Sequence, residues 1–467
     1  MGFREKLSNA IRAIDFGDIY LRPSLSPVDP NEVDTSTRFT RNIRIKIPIV
    51  SSPMDTVTEL DMAIAMALLG GIGVVHRNMS IDQQLDIVRK VKEHPPIRLR
   101  RIYVSIGDSC RYALEIMKSY GIRSIPVVDS DTKVVGYVYI HDVLDRESMY
   151  KPVAMCMRSG EIYSVRDIER ARDSVIRGSM DTVAIVSHNG DYLGTLTLDD
   201  ALLDVTPSLD ENGSLLVAAA ISPYDFARAE KLDRYVDAFV SDVAHFHNIN
   251  VIRASKELVK KISADFVAGN IATYDATIDV LTHIDRVDAF RVGLGGGSIC
   301  TTPQVAGAYI PTLWGVAEVR DALEDQKVDI PIIADGGIRT GGDIVKALAT
   351  GASSAMVGYL VAGTDEASAP IIAIGDNLYK PYRGMASIGA MKRRFAVDRY
   401  SRVSKRVAEG VEGLVPYRGS VYNVIQDVVE AIRAGMGYAG ARTVEELWSK
   451  AIFISTRSKD KPVDLHI

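Results

Sequence analysis

The sequence Ala289-Phe-Arg-Val-Gly-Leu-Gly-Gly-Gly-Ser-Ile-Cys-Thr-Thr302 joins a short apolar strand to a loop with few side chains. Glycines at 293, 295, 296 and 297 permit positive φ angles and let backbone amides and carbonyls approach an ion or a phosphate. Cys300 follows the last glycine by three residues, which places a thiol at the rim of that loop. A small buried cysteine after a glycine turn is the structural alternative, so the neighbouring sequence must decide its role.

Short apolar runs recur along the chain and alternate with segments of helical periodicity. The predicted strands are 47–52, 70–75, 215–220, 238–242, 265–269, 289–293, 331–335 and 354–358. Alternating strands and helices indicate the α/β class with a parallel sheet, and eight such units predict a (β/α)8 TIM barrel. A doubly wound open sheet is the competing fold, but the first strand is not followed by G-x-G-x-x-G.

An insert with a different rhythm separates the second and third units. It contains two copies of one pattern, in which Gly136 and Asp142 of the first copy correspond to Gly194 and Asp200 of the second. We therefore expect barrel segments at 1–95 and 207–467 and an inserted double module at 96–206. In the second copy, Thr197 and Asp200 could bind the phosphate and ribose of a nucleotide or could cap a helix. The first copy has Tyr139 at the position of Thr197, where the pattern expects a short hydroxyl residue, and this favours capping there.

Composition excludes several classes of protein. The 467 residues are 47% hydrophobic and carry a formal net charge of −5, which does not favour binding to nucleic acid or to an anionic membrane. Cys110, Cys156 and Cys300 lack the spacing of a disulfide framework or a zinc site. The sequence shows no signal peptide or membrane-spanning run, so a cytoplasmic enzyme or sensor is expected. Any phosphate must then be bound locally.

Polar, reactive or glycine residues follow most of the predicted strands. Functional groups of a barrel collect at the carboxyl ends of its strands, so these residues should meet. They are Ser52, Met54, Asp242, Asn270, Ser298, Cys300, Asp335, Gly336, Gly337, Gly358 and Tyr359. Glycines after strands seven and eight suit a phosphate group, and Asp335 is placed to accept hydrogen bonds from ribose hydroxyls. The pattern predicts a site for a purine or other nucleoside monophosphate.

Longer motifs resemble one known family over essentially the whole chain. They are 51–57, 70–73, 267–273, 297–302, 334–338, 382–385, and Asp398-Arg-Tyr400 followed by Glu409-Gly410. This order of motifs resembles the IMP dehydrogenase family, and the insert resembles a tandem pair of CBS modules. The resemblance implies oxidation of IMP to XMP with NAD in guanine nucleotide synthesis. Cys300 would attack C2 of IMP, hydride would leave for NAD, and water would hydrolyse the covalent intermediate.

The resemblance also implies individual roles. Substrate would bind at Ser52, Met54, Ser298, Asp335, Gly337, Gly358, Tyr359, Tyr382, Met385 and Glu409; cofactor at Asp242, Asn270, Gly293 and Gly295; and potassium at the carbonyls of Gly295, Gly297 and Cys300. Within a mobile flap at about 386–410, Arg399 supported by Tyr400 would activate water, with Thr302 as a second route. Adenine or guanine nucleotides would bind the CBS pair at Thr197 and Asp200. The assembly would be a homotetramer, with octamers as a further form.

Several positions depart from the family pattern, and two other functions stay open. Tyr359 stands where Ser is common, Pro303 where Arg is usual, and Phe246 where Gly is usual. Thr312 replaces a Gln, and the C-terminal residues 464–467 lack the family's cation-site tail. One alternative is GMP reductase, which releases ammonia from GMP with NADPH; Arg399-Tyr400 favours the dehydrogenase. The other is a catalytically weak sensor of purine nucleotides in which the insert does the work.

Overall fold

A computed structural model describes residues 3–144, 147–392 and 408–455. The chain divides into two compact units. The larger combines Met1–Glu93 with Thr206–Ile467, and the smaller is His94–Val205. These limits lie within two residues of the expected boundaries of the insert.

The larger unit is built on a closed barrel of eight parallel strands, which confirms the predicted fold. The strands are β1 (Ile49–Ser51), β2 (Ile72–Val75), β3 (Val217–Ile221), β4 (Ala238–Ser241), β5 (Asp265–Ile271), β6 (Ala289–Val292), β7 (Ile332–Asp335) and β8 (Ser354–Val357). Neighbours in sequence pair with each other, and β8 pairs with β1 through Ala355 and Ile49 to close the barrel. Apolar side chains fill the interior, among them Val50, Val74, Val240, Val267, Ile333 and Met356.

Helices follow most strands and cover the outside of the barrel. They are α1 (Leu60–Leu68), α2 (Ile81–Glu93), α3 (Phe226–Leu232), α4 (Ile249–Leu258), α5 (Tyr274–His283), α6 (Thr312–Asp325), α7 (Gly341–Ala349) and α8 (Val421–Tyr438). Polar residues cap the first turn of several of them. The hydroxyl of Thr340, for example, accepts a hydrogen bond from the Asp343 amide in a capping box at the start of α7.

Smaller elements surround the barrel. Short strands Ile19–Leu21 and Phe453–Ser455 pair with each other, as do Thr37–Arg38 and Arg44–Ile45. After β8, an antiparallel sheet of Ile372–Ile374, Asn377–Arg383 and Glu412–Pro416 carries Tyr382. The remaining helical segments are Phe3–Ser8, Pro30–Glu32, Thr302–Ala306, Tyr359–Ala362, Ile388–Lys392 and Val444–Lys450.

The smaller unit repeats one arrangement twice. Strands Val104–Ser105, Ser124–Val128 and Val134–Tyr139 form one sheet, and Ile162–Ser164, Thr182–Val186 and Tyr192–Thr197 form the other. A helix lies between the first two strands of each sheet, at Cys110–Tyr120 and Ile168–Ile176. Short helical turns at Ile140–Asp142, Ser148–Tyr150, Val153–Met155, Val165–Asp167 and Leu198–Ala201 complete the unit. Each copy has its own apolar core. The assignment of these copies to CBS modules stays a prediction.

Among the described residues, no helix combines the length and apolar character needed to cross a membrane.

Candidate active site

A cavity of about 420 Å³ opens at the carboxyl ends of the barrel strands. Most residues predicted for substrate, cofactor and cation line its wall. They are Ser52, Met54, Asn270, Gly293, Gly295, Gly297, Ser298, Cys300, Thr302, Asp335, Gly337, Gly358, Tyr359, Tyr382, Met385 and Glu409. Asp242 is absent from this lining because it is fully buried behind the wall. Arg399 and Tyr400 lie outside the described residues.

The loops after β6 and β7 pack backbone against backbone, which explains the run of glycines. Gly293 has φ 152°, and a Cβ there would collide with the carbonyl oxygen of Asp335. Gly336 has φ 102°, and a Cβ there would lie 3.1 Å from the backbone of Gly296 and Gly297. Side chains at these positions would therefore push apart the two loops that carry Cys300 and Asp335.

The thiol of Cys300 begins a short chain of hydrogen bonds. Its Sγ donates to Thr302 Oγ1 at 3.2 Å, and that hydroxyl donates to Glu409 Oε2 at 3.2 Å. The Thr301 amide also donates to the Glu409 carbonyl at 3.0 Å, which fixes this glutamate beside the cysteine loop. Glu409 is only 4% exposed, whereas Cys300 is partly accessible. The thiol proton therefore has a path to a carboxylate, which is what a cysteine nucleophile requires.

A small space bounded by Gly358, Tyr382 and Met54, here called the cradle, lies at the β8 end of the cavity. A Cβ at Gly358 would lie 2.8 Å from Tyr382 Oη and 3.0 Å from Met54 Sδ, so only glycine leaves this space open. Burial raises the pKa of Tyr382 to about 12, although a hydrogen bond with Ser298 opposes the shift. The phenol therefore stays neutral at pH 7 and can donate to an anion.

Two arginines reinforce this cradle, and neither was predicted from the sequence. The guanidinium groups of Arg339 and Arg418 lie 6.0 and 5.5 Å from the centre of the Tyr359 ring. The Tyr359 ring in turn meets Tyr382 edge to face, with 6.2 Å between ring centres. Arg339 also lines the cavity and makes this end electropositive.

A buried ion pair fixes the approach to Met385. Arg383 Nε and Nη2 donate to the carboxylate of Asp55 at 2.9 and 2.6 Å, and Asn78 Nδ2 donates to it at 2.8 Å. The Asp55 amide donates to Met385 Sδ at 3.3 Å. Burial alone would raise the pKa of Asp55, but the hydrogen bonds from Arg383 and Asn78 outweigh it and lower the pKa. The loop after β1 is thus tied to the strand that leads into the predicted flap.

The opposite side of the cavity contains three groups that the sequence did not predict. His245 and Arg291 line it beside the predicted Asn270, and Arg77 lies buried behind it. Burial and then the neighbouring His247 lower the pKa of His245, so its imidazole is neutral at pH 7. Arg291 and Arg77 had a visible signal, because each is a charged residue in or directly after an apolar barrel strand.

The inserted unit satisfies its candidate ligands internally. Thr197 Oγ1 accepts from the Asp200 amide at 3.4 Å and donates to Asp200 Oδ2 at 2.6 Å, as a helix cap does. Arg100 Nε lies 2.7 Å from Asp200 Oδ2, and Arg98 Nε lies 3.4 Å from Oδ1. In the first copy, Asp142 pairs with Arg158. Binding of a nucleotide at Thr197 and Asp200 stays a prediction.

The fold and the site together define a class, namely (β/α)8 barrels that place a partly accessible cysteine and a glycine-lined cradle in one cavity at the carboxyl ends of the strands. The chain belongs to the IMP dehydrogenase/GMP reductase family, whose domain model matches residues 13–461.

Similar proteins cover nearly the full length of the chain. Inosine-5'-monophosphate dehydrogenase of Korarchaeum cryptofilum is 43% identical over 94% of this chain and 93% of its own. The enzyme of the same name from Methanocaldococcus jannaschii is 41% identical over 97% and 94%. Among solved structures, a cysteine-to-alanine variant of GMP reductase from Trypanosoma brucei is 31% identical, has a TM-score of 0.75, and covers 97% of this chain and 98% of its own.

Proposed function

We propose that this protein is an NAD-dependent IMP dehydrogenase that forms a covalent intermediate at Cys300. Full-length relatives named as IMP dehydrogenases at 40–43% identity support the oxidation of IMP to XMP. The observation that carries the proposal is the position of Cys300. Its thiol is joined through Thr302 to Glu409 in the wall of a cavity that also contains the Gly358 cradle.

Contacts in the cavity support a binding mode for IMP. The phosphate would bind at Ser298, Gly337, Gly358 and Tyr382, where the absence of a Cβ at Gly358 leaves the cradle open. Tyr359 lacks the short hydroxyl of the Ser that is common there, but it offers a backbone amide and a ring beside two arginines. Asp335 would accept hydrogen bonds from the ribose, and Met385 and Glu409 would contact the purine, whose C2 would then face Cys300.

The chemistry requires the thiol to lose its proton before it adds to C2. The Thr302 hydroxyl can accept that proton while passing its own to Glu409. Addition of the sulfur makes C2 tetrahedral, and collapse of this adduct expels hydride. NAD supplies the hydride acceptor. The neutral His245 imidazole, beside Asn270, suits a cationic nicotinamide because it adds no positive charge there.

Hydrolysis of the intermediate needs an activated water. Arg399 and Tyr400, proposed for this step, lie outside the described residues. Thr302 offers a second route because its hydroxyl is already hydrogen-bonded to a carboxylate next to the sulfur. The base on this route is Glu409, which would first release the proton of the thiol to solvent and could then take a proton of water through Thr302, while the sulfur leaves C2 as the thiolate.

The cysteine loop also suits the proposed monovalent cation. The carbonyl of Gly297 accepts a hydrogen bond from the Cys300 amide at 3.0 Å, and its second lone pair could coordinate a cation. Gly295, with φ 80°, is turned in the conformation that glycine allows. The carbonyls of Gly295, Gly297 and Cys300 would hold potassium, which would stabilise this loop. Replacement of potassium by lithium should then lower turnover.

Nucleotides at the insert and a homotetramer complete the proposal. Asp200 and its arginines provide both an acceptor for ribose hydroxyls and cations for phosphates. The homotetramer is proposed only because the family resemblance implies it. Light scattering at several protein concentrations would test it.

The decisive assay supplies purified protein with IMP and NAD or with GMP and NADPH. We expect absorbance of NADH to rise with the first pair and chromatography to show XMP. Activity with the second pair alone, with release of ammonia, would establish GMP reductase instead. Inactivity with both pairs, together with tight binding of purine nucleotides, would favour the sensor.

A further inference from the structure

Buried charges of alternating sign connect the two sides of the cavity. Arg77 Nε donates to Asp242 Oδ2 at 3.2 Å, and its Nη2 donates to the Asp242 carbonyl at 3.0 Å. Arg291 Nη1 lies 3.9 Å from Asp242 Oδ1. The Nε and Nη2 atoms of the same guanidinium lie 2.9 and 2.8 Å from Asp335 Oδ2. Arg291 therefore interacts with two carboxylates at once.

These carboxylates differ in their access to a ligand. Asp242 is fully buried, whereas the Asp335 side chain is 16% exposed and lines the cavity. Asn270 Nδ2 donates to Asp335 Oδ2 at 2.8 Å, so that oxygen is held by three N–H groups. Oδ1 of Asp335 accepts no hydrogen bond from the described part of the chain. The carboxylate is thus fixed by one oxygen and presents the other for a ligand.

Arg291 is needed electrostatically as well as geometrically. Two neighbouring carboxylates repel each other, and a cation placed between them offsets that repulsion. Arg291 is 5% exposed, and its Nη1 has no hydrogen-bond acceptor within the described ranges. Arg291 therefore holds Asp335 by hydrogen bonds but interacts with Asp242 only through charge, across 3.9 Å. A shift at one carboxylate changes the field at the other.

We propose that Arg291 is a positioning residue that orients Asp335 toward the ribose of the nucleotide and, through Asp242, couples binding of the nucleotide to binding of the dinucleotide. This inference rests on the proposed function, which assigns Asp335 to the ribose and Asp242 to the nicotinamide side. It also gives Asp242 a role that needs no direct contact with a ligand.

Steady-state kinetics provides the first test. Arg291→Met keeps much of the apolar stem of the side chain but removes its charge and its hydrogen bonds, so we expect KM for IMP to rise about 10- to 100-fold, as for loss of a charge-assisted hydrogen bond. The kcat at saturating IMP should change less than KM, because Cys300 and Glu409 are untouched. Arg291→Lys should restore part of the loss. An unchanged KM for IMP, or a loss confined to kcat, would overturn the inference.

Binding measurements separate coupling from a merely structural role. In a Cys300→Ala background, which prevents turnover, the Kd of IMP is measured calorimetrically with and without saturating NAD. We expect NAD to tighten IMP binding about tenfold. The effect should vanish with Arg291→Met but persist with Arg339→Met, a second arginine of the same cavity that contacts neither carboxylate in the described contacts. Loss of coupling in both variants, or in neither, would contradict the proposal.

Failure of the function itself would look different. If the unmodified protein were active only with GMP and NADPH, the same variants would be compared with that pair, and the same loss of coupling would be expected. Coupling that survives Arg291→Met with the active pair rejects the role of Arg291 while leaving the function intact.

Discussion

The barrel cavity and the inserted unit both present carboxylates beside arginines, but they differ in what remains available to a ligand. In the barrel, Asp335 is held through one oxygen and lines an open cavity beside glycine loops. In the insert, Asp200 is 2% exposed and is already bound by Thr197, Arg98 and Arg100. The same residue types thus line an open cavity in one region and form a closed internal network in the other. Space for a ligand, rather than residue type, distinguishes them.

Removal of the nucleophile should have the largest effect. Cys300→Ala is expected to lower kcat with IMP and NAD by about 10⁴-fold or more, because the covalent step is lost while binding survives. Cys156→Ala, at a partly exposed cysteine of the insert, is the matched control and should leave kcat unchanged. Retention of NADH formation by Cys300→Ala would show that Cys300 is not the nucleophile and that the cavity in the barrel does not work as proposed.

The next effect concerns the link between the thiol and Glu409. Thr302→Val preserves the shape of the side chain but removes both hydrogen bonds, so kcat should fall about 100-fold, as for loss of assisted proton transfer. Thr301→Val is the control, since the Thr301 hydroxyl makes no capping bond to the helix that follows. Equal losses in the two variants would indicate a disturbance of the loop rather than of the relay.

The third prediction concerns the stability of the barrel. The ion pair between Asp55 and Arg383 is largely buried and joined by two hydrogen bonds, so it resembles the network of the insert more than the open cavity. Arg383→Met leaves the Asp55 charge buried, which should cost about 3 kcal/mol at pH 7. The pKa of Asp55 is lowered in the folded state, so its pairing stabilises the fold above the unfolded pKa and is lost as pH falls through the folded pKa.

The variant and the unmodified protein should therefore approach each other in thermal midpoint as pH falls below 3.8, the ordinary pKa of Asp, and through the lowered folded pKa. Lys450→Met, which breaks an exposed pair with Glu446, should lower the thermal midpoint far less and serves as the control. A difference between Arg383→Met and the unmodified protein that is the same at every pH would show that packing, not charge, is involved.

Local periodicity was sufficient to predict the eight barrel strands, because each is a short apolar run bounded by glycine or polar residues. Strand ends also predicted most of the cavity wall, since parallel strands bring their carboxyl ends together. Contacts distant in sequence could not be predicted. Arg77 meets Asp242, and Arg383 meets Asp55, only after the barrel closes. The pairing of Asp200 with Arg98 and Arg100 was likewise invisible, because a motif does not reveal which neighbour already occupies it.

Asp200→Asn should have the smallest effect on turnover and tests the insert directly. We expect basal kcat to stay within about twofold, because Asp200 lies in the other unit. If nucleotides bind there, loss of the charged acceptor should weaken ATP or GTP binding about tenfold in equilibrium dialysis. Asp199→Asn, at the exposed neighbouring carboxylate, should leave binding unchanged. Equal binding in both variants would show that no nucleotide uses the Asp200 carboxylate. Its role would then be structural, namely to pair with Arg98 and Arg100, which a nucleotide would have to displace before it could bind there.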